Sequence, residues 1–228
     1  MHTRAVESGM TILEAVVSTA VFAGILSLLA GMVASTSDAT SVVGSTTTAQ
    51  MEAERLLGMI RQELQPSGVS ATGGLTVSPD GREVTYVRLD SRAPIFDPSD
   101  PLTPPWESQR RVIKLEADGA ETLGNGADED GDFLRDEGRV AVYIRPPSGP
   151  DQLIAVMARD VMDPQTVAPS RPMFSLDTAT PLPRVTVVVD LERIIMAGAR
   201  GSADVGQLQA GGGSRARHRA MTVVTLLN

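Results

Sequence analysis

The sequence predicts an α+β protein: a long N-terminal helix, transmembrane in its first half, packed on an antiparallel β-sheet. Three observations predict it. Ala15 to Ala34 contains no charged residue, and about 20 such residues suffice to cross a hydrocarbon core of ~30 Å as a helix. From Ala49 to Leu64, the residues Ala53, Leu56, Leu57, Ile60 and Leu64 recur on one helical face, while Glu52, Arg55, Arg61 and Glu63 largely face away. After Gly73-Gly74 the period changes to two, and strands grouped behind a helix argue for an antiparallel sheet rather than alternating βαβ units.

The apolar run opens on Met10-Thr11-Ile12-Leu13-Glu14. A charge at the centre of a spanning helix costs roughly 2.5–3.5 kcal/mol, somewhat less near an end. Glu14 is therefore a candidate functional residue, and its partner follows from the chain. Arg4 and the starting amine precede the run, and the first charges after it are Asp38, Glu52 and Glu54. That asymmetry favours a cytoplasmic N-terminus and an exported remainder. If a peptidase cuts after Gly9, the new amine of Met10 lies about 6 Å along the helix from Glu14. Within one helix the two meet poorly, but a neighbouring subunit shifted axially by that amount pairs amine with carboxylate. Such a pair neutralises two charges that lipid disfavours.

Ser35–Thr48 is rich in Ser and Thr and contains Gly44, so it is a weak helix former. One long helix weakened in its middle is the expected arrangement, and a break near Gly44 is the competing one. Pro66 and Gly68 stop the helix. Beyond them, Leu75–Val77, Glu83–Leu89, Arg111–Leu115, Arg139–Ile144, Leu153–Met157, Arg184–Leu191 and Met221–Leu226 read as strands, with Asp80-Gly81 and Asp118-Gly119 as turns.

Composition narrows the function classes. Of 228 residues, about 160 lie beyond the helix, enough for one domain with a modest core. The net charge of −8 argues against a general nucleic-acid binder, and the absence of cysteine excludes disulfides, thiolate nucleophiles and Cys-based zinc sites. His2 and His218 are the only imidazoles, and no nucleophile elbow, zincin helix or phosphate-binding Gly-Lys-Ser/Thr loop is present. The expectation is a protein without enzymatic activity.

One dense polar cluster lies outside the apolar run, in residues 125–138. Asp128, Asp130 and Asp132, with a fourth carboxylate at Asp136 or Glu137, suit a hard cation that takes six to eight oxygens at roughly 2.3–2.6 Å. It is not an EF-hand, since Phe133 stands where that loop needs glycine and Arg139 where it needs the bidentate Glu. It looks more like the short Asp-rich calcium loops of thrombospondin type 3 repeats. The competing reading is a solvated acidic hairpin tip between the strands around Val112 and Val142. The Pro-stiffened stretch from Phe96 to Trp106 carries the only tryptophan, as a partner anchor or as a lid on the core. Gly198–Gly213 reads as a flexible loop, followed by Arg215, Arg217, His218 and Arg219, whose alternative reading is a basic patch for an acidic neighbour or DNA.

Gly9-Met10-Thr11-Ile12-Leu13-Glu14 resembles the prepilin peptidase site of type IV pilins and pseudopilins: a glycine, a hydrophobic first mature residue, and Glu at mature position five. Met10 replaces the commoner Phe, and the leader carries only Arg4 where several basic residues are usual. A bland alternative is a plain signal anchor or a cleaved secretory signal, although the latter has an apolar core of only 7–15 residues. Within the family, Leu57-Gly58-Met59-Ile60-Arg61-Gln62-Glu63-Leu64 looks like the leucine-rich helix end of the J-type minor pseudopilin of type II secretion. Ala158-Arg159-Asp160-Val161-Met162 followed by Phe174-Ser175-Leu176 is similar to its late strand pair, and Thr222 to Asn228 resembles its terminal strand. Retention of Glu14 argues against the K-type tip subunit.

The resemblance implies a leader at 1–9, a transmembrane segment at 10–34, a helix extension at 35–66 and a periplasmic β-rich domain at 67–228. It implies cleavage after Gly9, methylation of the Met10 amine by a prepilin peptidase/methyltransferase, and insertion in the bacterial inner membrane with a cytoplasmic N-terminus. The partners implied are minor and major pseudopilins and an inner-membrane assembly platform, in a short filament serving type II secretion or a related type IV system. Glu14 would set axial register, and Ala20, Gly24, Ala30 and Gly31 would allow close helix approach. The alternative function is a membrane-anchored, calcium-dependent binding module that never polymerises.

Overall fold

The computed structural model describes residues 11–68, 74–90, 105–119, 121–125, 127, 129, 136–179, 182–194 and 215–226. One helix, α1 (Ile12–Leu64), runs through 53 residues, about 80 Å at 1.5 Å per residue. It is followed by β1 (Thr76–Val77), β2 (Glu83–Tyr86), β3 (Arg110–Ala117), β4 (Glu137–Arg145), β5 (Gln152–Met162), β6 (Phe174–Asp177), β7 (Arg184–Ile194) and β8 (Arg215–Thr225). The fold is α+β, as the residue patterning predicts.

Along α1 the surroundings change twice. From Ile12 to Val33 the large apolar side chains stand exposed on every side of the helix, and this stretch is long and apolar enough to cross a membrane. Residues 35–48 include no buried side chain. From Ala49 onward one face is covered: Ala49, Ala53, Leu56, Leu57, Ile60 and Leu64 are buried against the sheet, with β8 and β7 as the main partners. These are the residues whose helical spacing marks a core-facing stripe.

No break interrupts α1 at Gly44. Ser and Thr normally compete with a helix by bonding nearby backbone. Here Thr36, Thr40, Ser41, Ser45 and Thr46 donate to the carbonyls of Met32, Thr36, Ser37, Ser41 and Val42, four residues back. Their hydroxyls are thus satisfied without breaking the backbone ladder. The helix ends where Gln65 caps it through a 2.8 Å bond to the Arg61 carbonyl, immediately before Pro66.

The strands form one antiparallel sheet ordered β1-β2-β3-β4-β5-β7-β6, with β8 on β7. β7 shares one long edge with β8, from Arg184↔Thr225 to Ile194↔Arg215. Its other edge is divided, the first part pairing with β6 and the Asp190–Leu191 end with β5. The sheet curls so that its ends meet: the Phe174 N–H donates to the Gly81 carbonyl at 2.8 Å. Gly81 has φ of 64°, and a Cβ there would run into Pro172, so both the turn and the closure need glycine.

The core lies between the concave face and the second half of α1. It gathers Val84, Tyr86, Ile113, Leu115, Val140, Val142, Val161, Phe174, Val185, Val187, Val189, Leu191 and Val224 with the helix stripe. On the convex face Val112, Ala141 and Tyr143 form a second, smaller cluster.

Several strand bounds differ from the expected ones. β5 reaches Met162 rather than Met157, because its register on β4 shifts three times and the chain passes Asp160 at φ of 54°. Bulged residues of this kind break the alternation that marks a strand in sequence. β2 stops at Tyr86, while Arg88 and Leu89 form isolated bridges to Ser67 and Trp106. β8 begins at Arg215, not Met221, so the run of basic residues is strand.

Candidate functional site

The candidate assembly site begins at the helix start. Thr11 is the N-cap, in extended backbone, and its hydroxyl accepts from the Glu14 N–H at 3.3 Å. Its carbonyl accepts from the Ala15 N–H at 3.0 Å, the first bond of the ladder. Thr11 and Glu14 therefore stand at N-cap and N3, the spacing of a capping box, a signal in the sequence that the charge argument alone passes over. The carboxylate also lies in the first turn, where the helix dipole favours an anion.

Capping accounts for an acid at a helix start in water. It does not account for one bordered by Ile12 at 86% and Leu13 at 74% exposure and followed by exposed Val16, Val17, Val21, Phe22, Ile25 and Leu26. Among the described residues Glu14 makes no ion pair. Gly24 and Gly31 have nothing within 4 Å of where a Cβ would stand, so both leave room for another helix. Gly9 and Met10 lie outside the described residues.

The acidic stretch connects β3 to β4, as a hairpin reading requires, with Ile113 opposite Val142. Asp128, Asp130 and Asp132 lie outside the described residues. Asp136 and Glu137 lie at the root of β4, both more than nine-tenths buried. Asp136 sits at φ of 54°, and its Oδ1 accepts from the Gly124 N–H at 2.7 Å. Glu121, also buried, accepts from the Glu129 N–H at 2.8 Å. The Asn125 amide and the Thr122 N–H bond the Glu129 carboxylate and hold it below the ordinary carboxylate value. Among the described residues no three metal-capable side chains converge. Glu121 belongs to this structure although it lies outside the 125–138 cluster that stands out in the sequence, because it bonds backbone within its own loop.

The basic residues after 214 are committed elsewhere. Asp190, fully buried on β7, accepts from Arg217 Nη2 at 3.1 Å and from Arg219 Nε at 2.8 Å. Arg219 also donates to the Pro169 carbonyl at 2.7 Å and to that of Val167 at 3.2 Å, tying the β5–β6 connection across the convex face. Arg217 and Arg219 are thus counter-ions of a buried carboxylate, and the DNA-patch reading loses two of its three arginines. Trp106 packs against Gly68, where a Cβ would collide with the ring. That close approach joins the end of α1 to the chain before β3.

Other charged groups form local networks. Glu63 on α1 accepts from the Tyr86 hydroxyl at 3.0 Å and from Arg88 at 3.1 Å. Burial, with the Glu63 carboxylate beside it, pushes the Tyr86 phenol well above its ordinary range. Arg193 bridges Glu52 on the helix and Asp160 on the β5 bulge. His218 lies within β8 opposite Leu191.

A long apolar N-terminal helix packed on an antiparallel sheet is a pilin-like architecture. No family model, curated protein or solved structure matches the chain.

Proposed function

We propose that the chain is a structural subunit of a type IV pilin-like filament, with the J-type minor pseudopilin of type II secretion as its nearest counterpart. In this reading it is cut after Gly9 by a prepilin peptidase and methylated on the Met10 amine. It then stands in the inner membrane with its sheet domain in the periplasm. Partner pseudopilins pack along the exposed apolar helix. The single observation that carries the reading is Glu14: an acid in the first turn of a helix whose large apolar side chains from Ile12 to Val33 stay exposed among the described residues.

Glu14 has two accounts, a cap or a charge, and one substitution separates them. Glutamine at N3 serves a capping box as glutamate does, but carries no charge. Glu14→Gln should leave membrane insertion and helix content unchanged and abolish copurification with the neighbouring subunits in the native host. Normal copurification of Glu14→Gln would leave the carboxylate as a cap only. Mass spectrometry of the native N-terminus supplies the second test. A methylated Met10 agrees with the filament reading, whereas retained residues 1–9 would refute it and favour the anchored binding module. The acidic loop belongs to either reading: calcium held by Asp128, Asp130 and Asp132, with Asp136 or Glu137, would offset their mutual repulsion and order the β3–β4 connection.

A further inference from the structure

We propose that residues 35–48 are a helix–coil hinge, so that the sheet domain swivels on its membrane anchor. Three observations place the hinge there. First, among the described residues the stretch has little tertiary support: none of its side chains is buried, only Ser41 and Ser45 are half-buried, and Gly44 has nothing within 4 Å of a Cβ position. Second, nine of its fourteen residues are Ser or Thr, and Asp38, Val42, Val43 and Gly44 add four more weak helix formers. Each such residue has a helix-propagation weight about two- to threefold below alanine. Alanine itself reaches only about 1–1.6, so every step but that of Ala39 falls below one, and the deficit multiplies along the stretch. Third, both borders are firm. Below Ser35 the apolar run has lipid-compatible side chains all round, where an open backbone bond is costly. Above Thr48 the stripe starts at Ala49 and Ala53, both fully buried, and Arg193 clasps Glu52 to Asp160.

The hydroxyl bonds to carbonyls four residues back do not oppose this, since water offers the same donors and acceptors and such bonds slightly destabilise a helix. Two fixed helices joined by a segment of low propagation weight make a universal joint about 20 Å long when helical. Neither Glu14 nor filament assembly enters this inference, and its test does not depend on them.

The full chain contains no cysteine, so Met32→Cys with Met51→Cys, 69% and 58% exposed, takes two spin labels without competing sites. In lipid nanodiscs, an unbroken helix holds these positions about 28 Å apart. The expected result is a broad distance distribution for the natural sequence. It should narrow to about 28 Å when Thr40, Ser41, Gly44, Ser45, Thr46 and Thr47 are all replaced by alanine. Amide exchange over 35–48 should be at least tenfold faster than over 49–64, and the alanine variant should slow it at least tenfold. A narrow distribution in the natural sequence overturns the hinge. So does a broad one that the alanine variant leaves broad.

Discussion

Asp190→Asn tests whether the convex face is held by a buried charge. The carboxylate is fully buried, and both of its oxygens are used: Oδ1 by Arg217 and Oδ2 by Arg219. Asparagine keeps the volume and one acceptor oxygen, so no cavity opens, yet two guanidinium groups lose their shared anion. Removing one partner of a buried ion pair costs about 3–5 kcal/mol. The Arg217 and Arg219 side chains are 34% and 23% exposed, so water recovers part of that, and about 2–3 kcal/mol is expected. For a domain of this size each kcal/mol lowers Tm by about 2–4 °C, which predicts a fall of about 5–10 °C. The assay is thermal unfolding of the detergent-solubilised chain by circular dichroism, for Asp190→Asn, Arg219→Met and the double variant. The double variant should recover at least ~1 kcal/mol of the summed losses, since only Arg217, 34% exposed, is then left without its anion. A loss below ~1 kcal/mol in Asp190→Asn, or strict additivity, would refute the reasoning.

Three further outcomes are expected. Leu56→Ala, at a fully buried helix position, should cost about 2–5 kcal/mol, whereas Val43→Ala, exposed on the hinge, should leave Tm within ~1 °C; equal effects would deny that α1 packs only beyond residue 48. Acid should weaken the fold: bonds from Arg145 lower Asp151 from its ordinary 3.8, while for Glu116 burial pushes upward but is outweighed by Tyr143, Arg139 and Lys114, lowering it from 4.5. Depressed carboxylates contribute stability that is complete above those ordinary values and lost as pH falls through the lower folded ones, so Arg145→Met should flatten the Tm–pH slope below about pH 4. Calcium at a hundredfold its Kd should add about 2.7 kcal/mol, seen as a rise in Tm that Asp130→Ala removes; no shift at millimolar calcium would leave the acidic loop a solvated hairpin tip.

What was legible in the sequence divides by the range of the interactions involved. The helix stripe Ala53-Leu56-Leu57-Ile60-Leu64 and the strands around Val84, Ile113, Val142 and Val187 were legible because burial imposes a local period on each. The β5 extension, which the family resemblance marked at Ala158–Met162, was hidden from the periodicity, since extra residues on β5 shift its register on β4 and reset the alternation. The true start of β8 was hidden for a different reason. Arg217 and Arg219 look like solvent-facing charge until Asp190, 27 and 29 residues away, is brought beside them. Long-range ion pairing leaves no period in a sequence, so arginines that neutralise a buried acid were open to the alternative reading of a surface patch. At the candidate site, Glu14 stood out because it breaks an otherwise uniform apolar run, but its capping geometry with Thr11 depends on where the helix begins.

The three parts of α1 differ because each meets a different solvent, and the side chains match that solvent in turn. Ile12 to Val33 is apolar on every side, a composition that water would drive into aggregation and that lipid or neighbouring helices accept. Residues 35–48 carry hydroxyls on every side, suited to water and poor at packing. Residues 49–64 are apolar on one side only, because the sheet covers one side only. A secretory signal would need the first part alone, and a soluble domain the third alone. Keeping all three in one continuous segment makes mechanical sense where a folded domain must stay attached to an apolar stem and still swivel on it. The Glu52–Arg193–Asp160 clasp, placed at the first packed turn, fixes where that attachment begins. Loosening it with Arg193→Met should therefore lengthen the exposed stretch upward from Ala49, visible as faster amide exchange at residues 49–53 with residues 56–64 unchanged.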